Sequence, residues 1–145
     1  MFEEQKKTMI KLDPLARSMI QKGLLTAEKV EFLVLDAQRA SETFSYYIEK
    51  NSILSDDVLL QLKSDVYGVA IIDVFDVKIE DDALEMIDKH VAQEKSILPI
   101  SLVDGALIVA LSDPMDFKLL SDLRLMTKKN IDVRLALKSD ITSVI

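Results

Sequence analysis

The sequence predicts an α+β protein, with amino-terminal helical hairpins packed on a small β-α-β-β-α-β sheet domain. Three observations predict it. Up to about residue 67 apolar residues recur at helical spacing, as in Val30, Leu33, Val34 and Ala37. After Tyr67-Gly68 the run "VAIIDVFDV" turns β-branched and aromatic, which is strand composition. Asp104-Gly105 then separates two strand-like runs, and a type I′ turn needs positive φ at both of its central positions, which this dipeptide tolerates. The expected division is a helical subdomain at 1–67 and an α/β subdomain at 68–145.

The first helix lies in "DPLARSMIQKG". Asp13 caps it, Pro14 takes the first helical position where no N–H is needed, and Gly23 closes it. Leu15, Met19 and Ile20 form its apolar face. In "LLTAEKVEFLVLDAQ" Thr26 caps the second helix. The unit recurs 29 residues later: Leu15 aligns with Phe44, Met19 with Ile48, Leu24-Leu25 with Ile53-Leu54, Thr26 with Ser55, Val30 with Leu59 and Leu33 with Leu62. The copies are degenerate, since Ile20 faces Glu49, Gly23 faces Ser52 and Val34 faces Lys63. Periods of this length belong to stacked helical hairpins.

In the second half a strand is expected over Val69–Val74, then one helix through "EDDALEMIDKHVAQEK", whose acidic start suits the positive end of the helix dipole. Leu84, Ile87 and Val91 share its face. Strands at Ile97–Val103 and Ala106–Leu111 flank Asp104-Gly105. Asp113 and Pro114 are read as the cap and first residue of a helix that buries Phe117, Leu120 and Leu123, with Leu119 and Met126 beside them. Lys128 and Lys129 suit its negative end, and Asn130 its left-handed stop. "IDVRLAL" is a closing strand, and "KSDITSVI" opens a further helix, so the chain reads as part of something longer. The helices are expected on one face of the sheet.

Composition narrows the function. The chain carries 25 Asp and Glu against 18 Lys and Arg, a net charge of −7, with the cations scattered. That balance opposes general binding to nucleic acid or anionic lipid. The helix-turn-helix look of "MIQKGLLTAEKV" leads nowhere, because Glu28, Glu31 and Asp36 dominate the helix that would read DNA. There is no cysteine, hence no disulfide or thiolate chemistry, which fits a reducing cytoplasm. No apolar run reaches the ~20 residues of a membrane span. A phosphate-cradling G-x-x-x-x-G-K-[ST] loop cannot be built from three glycines at 23, 68 and 105. His90 is the one histidine, and Asp56-Asp57 and Asp81-Asp82 read as caps and first-turn acids. No catalytic set, metal site or cofactor is expected.

An excess of apolar residues on the helices is the more useful anomaly. Phe32, Leu35, Tyr46 and Leu60 lie off the stripes that face a core. A second greasy stripe is buried either against the rest of the chain or against a partner, so these four are candidate partner-binding residues.

The cassette "LPISLVDGALIVALSDPMDFKLLSDLRLMTKKNIDVRLALKSDI", with a Leu-Pro before a strand, a short hairpin, "SDP" before a helix and "DI" after the last strand, resembles the amino-terminal domain of type II secretion and type IV pilus-assembly ATPases, the general secretory pathway protein E amino-terminal domain family. "KGLLTAEKV" and "NSILSDDVL" resemble its helical half. The resemblance implies a non-catalytic adaptor, cytoplasmic and peripheral to the inner membrane, that docks a motor onto the cytoplasmic domain of an inner-membrane platform protein, with the motor beyond Ile145. It also implies an alternative, a cyclic di-GMP-binding regulatory domain. Binding members of that family carry Arg-Leu-Gly at the start of each helical repeat, a glycine at the turn and a glutamine late in the second helix. The matching positions here are Pro14-Leu15-Ala16, Gly23 and Ala37, then Thr43-Phe44-Ser45 and Ser52. Arg17 and Gln38 stand nearby out of register. The alternative would use Leu15, Arg17, Gly23, Gln38 and Phe44, but without the arginines the adaptor is the preferred expectation.

Overall fold

The computed structural model describes residues 13–145. The chain divides into two compact units, Met1–Val66 and Tyr67–Ile145.

The first unit holds α1 (Pro14–Gln21), α2 (Ala27–Arg39), α3 (Phe44–Lys50) and nearly all of α4 (Asp56–Tyr67). Each helix starts where a short polar side chain takes up an N–H that has no partner within the helix. Asp13 accepts from Leu15 and Ala16 at 2.9 and 3.0 Å, Thr26 from Lys29 at 3.2 Å, Thr43 from Tyr46 at 3.2 Å and Ser55 from Val58 at 3.4 Å. The repeat is also present in the backbone. Leu24 N–H donates to Met19 O and Gly23 N–H to Ile20 O, both at 3.0 Å, and 29 residues on Ile53 N–H donates to Ile48 O and Ser52 N–H to Glu49 O, both at 3.2 Å. Gly23 and Ser52 are both left-handed, with φ of 69° and 50°. This is a Schellman closure made twice. Leu15, Met19, Val30 and Leu33 are buried, and so are their counterparts Phe44, Ile48, Leu59 and Leu62. At the end of the unit Lys22, which closes α1, pairs with Asp65 of α4 at 2.9 Å.

The second unit holds α5 (Asp81–Leu84), α6 (Lys89–Lys95), β1 (Leu98–Val103), β2 (Ala106–Leu111), α7 (Phe117–Thr127), β3 (Asn130–Leu135) and α8 (Lys138–Val144). The strand order is β1-β2-β3, with β1 antiparallel and β3 parallel to β2. Asp104 and Gly105, at φ 50° and 79°, make the expected two-residue turn between paired Val103 and Ala106. Pro99 is tolerated because β1 is an edge strand, and the register shifts beside it, between Pro99 and Ser101. The carbonyl of Ile100, inside that shift, accepts the Glu80 N–H at 2.8 Å.

Five expectations about this unit are corrected. Val69–Val74 is not a strand: Ile71 makes an isolated bridge to Leu135, after which Asp73 accepts the Phe75 N–H at 3.0 Å and turns the chain. The single helix after it is two, because the Asp88 carboxylate accepts from His90 and Val91 at 2.9 and 3.4 Å and starts α6 afresh; Leu84 is left exposed while Ile87 is buried. Asp113 caps a turn rather than a helix, accepting from Met115 at 3.0 Å; α7 begins three residues later under Asp116, which accepts from Leu119 at 3.1 Å. Its left-handed stop is Lys128, φ 56°, and Asn130 already belongs to β3. Finally, both faces of the sheet are covered. Leu107, Val109 and Leu111 pack with Ala83, Ile87, Leu120 and Leu123, while Ile108 and Ala110 face Val74, Ala136 and Ile141. A strand buried on both faces reads as a continuous apolar run, which is why β2 is "ALIVAL".

Candidate functional site

The nucleotide-motif positions lie at the helix starts and turns of the first unit. Leu15 and Phe44 are 0% and 7% exposed, with Ala16 and Ser45 buried beside them, and these side chains pack in the helical unit. Pro14 stands where the first arginine would, and the Thr43 hydroxyl is used as the cap of α3. Arg17 and Gln38 are exposed, and Gly23 closes its turn with open space around the missing Cβ. The two copies thus share their backbone turns while differing in the side chains at these positions.

The two large mismatches of the repeat compensate each other. Where the first copy has Ile20 and Val34, the second has Glu49 and Lys63, and Lys63 Nζ lies 3.4 Å from Glu49 Oε1 with the side chains 2% and 12% exposed. Taking a lysine that far out of water requires such a partner. Around α3 a polar cluster adds to this. The Tyr47 hydroxyl donates to Asp36, and that hydrogen bond, with the negative charge beside it, holds the phenol above its ordinary value. Lys50 donates to Glu42 at 2.9 Å and lies 5.8 Å from the Tyr46 ring centre; the Glu42 hydrogen bond raises the ammonium. Lys22 and then Gln61 lower Asp65 by donating to it.

Of the candidate partner residues, Phe32 is 59% and Tyr46 38% exposed, whereas Leu35 and Leu60 are half-buried. The second unit adds exposed apolar residues that the sequence reading turned inward: Phe117 at 66% and Met126 at 50%, joined by Leu125 at 76%. α7 buries Leu120, Leu123 and Thr127 instead. Phe117 stands in the first turn and, like Leu125 and Met126, lies off the row of Leu120, Leu123 and Thr127. A cavity of about 420 Å³ in the same unit has aliphatic walls, among them Ile79, Ile87, Ile97 and Leu98, with Glu85 and Lys89 as its charged residues. That lining suits an apolar group and opposes a polyphosphate. Among the described residues no cluster of His, Asp and Glu is arranged to hold a metal ion, and no helix is long and apolar enough to cross a membrane.

A family model described as the MshEN domain matches residues 67–145. The type IV pilus assembly ATPase PilB of Myxococcus xanthus (strain DK1622) is 24% identical over 131 residues, which cover 90% of this chain and 23% of that protein. PilB of Pseudomonas aeruginosa (strain PAO1) is 22% identical over 118 residues, covering 81% and 21%. The chain thus spans under a quarter of the length of these relatives. The solved structure of MshE with cdg matches at a TM-score of 0.78 and 17% identity, over 89% of this chain and 94% of that one. The amino-terminal domain of XpsE matches at 0.73 and 16%, over 90% of each. At such identities the structural likeness speaks for the α+β fold.

Proposed function

The chain belongs to the MshEN domain family, and from that membership we propose that it is the amino-terminal adaptor of a secretion or pilus-assembly ATPase, docking the motor on the cytoplasmic domain of its inner-membrane platform protein. One observation carries the preference for docking over nucleotide sensing. The positions that would grip a dinucleotide hold a proline, a spent threonine and buried apolar side chains, while large apolar residues stand exposed on both units. Exposed aromatic and aliphatic anchors are what protein interfaces use. ATP hydrolysis is assigned to the rest of the parent protein, because these residues contain no phosphate-cradling loop.

The second reading, a cyclic di-GMP-binding regulatory domain, has support of its own. MshE was solved with cdg on the same fold, and the left-handed turns at Gly23 and Ser52 are retained. Titration calorimetry decides between them. The adaptor reading expects no heat with cyclic di-GMP and retention of a purified platform cytoplasmic domain on the immobilised chain. Micromolar or tighter dinucleotide binding overturns the preference.

A further inference from the structure

We infer that the outward face of α7 is a docking surface for an acidic, apolar helical segment of a protein partner; this deepens the adaptor reading and rests on it. Phe117, Ser121 and Leu125 follow one another at i, i+4 and i+8, a single row along the helix. The row lies away from Leu120, Leu123 and Thr127, which pack on the sheet. Small Ser121 stands between exposed Phe117 and Leu125, an alternation of small and large residues that suits helix packing.

Charge selects the occupant. Two turns from Phe117 stands Arg124 and two turns before Leu125 stands Lys118, while Lys128 closes the helix, all exposed. None of the three side chains has a hydrogen-bond or ion-pair partner among the described residues, while Lys22, Lys50, Lys63 and Arg134 do. Helix stability accounts for Arg124 and Lys128, which suit the negative end of the dipole. It does not account for Lys118 in the first turn, where a cation is unfavourable. In a chain of net charge −7 this face is locally cationic. Asp122 beside Leu125 argues for a protein over a lipid surface, since insertion among headgroups would strand its carboxylate.

The test uses isotope-labelled whole chain and two model helices of about 18 residues, long enough to hold structure in water. One is built of Leu and Glu with Leu at i, i+3, i+4 and i+7, the other has Lys in place of Glu; phosphatidylglycerol vesicles are the third probe. The expected result is that the Leu/Glu helix shifts amide resonances over 117–128. Leu125→Ser and the pair Lys118→Glu with Arg124→Glu should each weaken it about tenfold, while Glu28→Lys on the other unit changes nothing. Because Leu125 is exposed, Leu125→Ser keeps the fold and decides alone if the charge reversal does not. Shifts centred elsewhere, no binding, indifference to these variants, or preference for the Leu/Lys helix or the vesicles overturns the inference. The platform domain is titrated in parallel. If it binds the variants as well as the parent, the face is wrong and the adaptor reading stands. If it binds neither while the Leu/Glu helix does, the adaptor reading falls by itself.

Discussion

At residue 23 the chain needs a left-handed backbone, and so it does at residue 52, but only the first position has a glycine. An L side chain at such φ costs about 1–2 kcal/mol where it does not bond locally. Gly23→Ala should therefore destabilise the helical unit by about 1 kcal/mol, although nothing lies within 4 Å of the added Cβ. Ser52→Gly should stabilise it by up to about 1 kcal/mol. Urea unfolding of both variants checks the pair, and equal effects of one sign would refute it. Tyr47 offers a test in pH. Its phenol is held above 10.0, first by the hydrogen bond to Asp36. The raised value means that the neutral form is favoured in the folded state. The stabilisation is whole below 10.0 and is lost as pH rises through the folded value. In an alkaline titration the Tyr47 phenolate should appear above the ordinary value, and Asp36→Asn should bring it back down. The mechanism of Gly23 was legible in sequence because a left-handed closure depends on one residue. The Tyr47–Asp36 bond was not, because it joins α3 to α2 across a packed interface.

Helical hairpins repeat in this chain as packing units, and where the first copy has Ile20 and Val34 the second places a close, largely buried ion pair of Glu49 and Lys63. Removing one member of a buried pair leaves a charge without compensation. Glu49→Ile alone should cost about 3 kcal/mol or more. Glu49→Ile with Lys63→Val puts the residue types of the first copy at both positions and should return to within about 1 kcal/mol of the parent, or exceed it. A double-mutant cycle by denaturant unfolding measures the coupling. A double variant as unstable as the single would mean that Lys63 is held by its other contacts. In element boundaries, the caps at Thr26 and Ser55 and the turn at Asp104-Gly105 were readable because each acts within three or four residues of itself. Asp113 and Asp116 were not separable that way, since both accept a nearby N–H. The helix follows Asp116 because that start lets Leu120 and Leu123 reach the sheet, and tertiary packing is invisible to local signals. Asp73 and Asp88 broke predicted elements likewise.

The core of the second unit sets how the molecule should unfold. In the second unit every buried side chain of both hydrophobic clusters, from Val74 to Ile141, is contributed by residues after the division at Tyr67. Its sheet is closed within the same unit: β2 is paired on both sides, and Ile71 and Glu80 reach the outer strands. The family model also begins at residue 67. A fragment of Tyr67–Ile145 therefore carries both of these hydrophobic clusters and the paired sheet, at a size where domains of this kind fold alone without disulfides. It should express as a monomer with dispersed amide resonances and a single cooperative unfolding transition. Leu107→Ala, which removes a fully buried side chain from the central strand, should destabilise the fragment by about 2–5 kcal/mol, and by the same amount in the whole chain when the transition of this unit is followed. A fragment that stays unfolded, or a loss from Leu107→Ala that differs by more than about 1 kcal/mol between fragment and chain, would show instead that the two units stabilise one another.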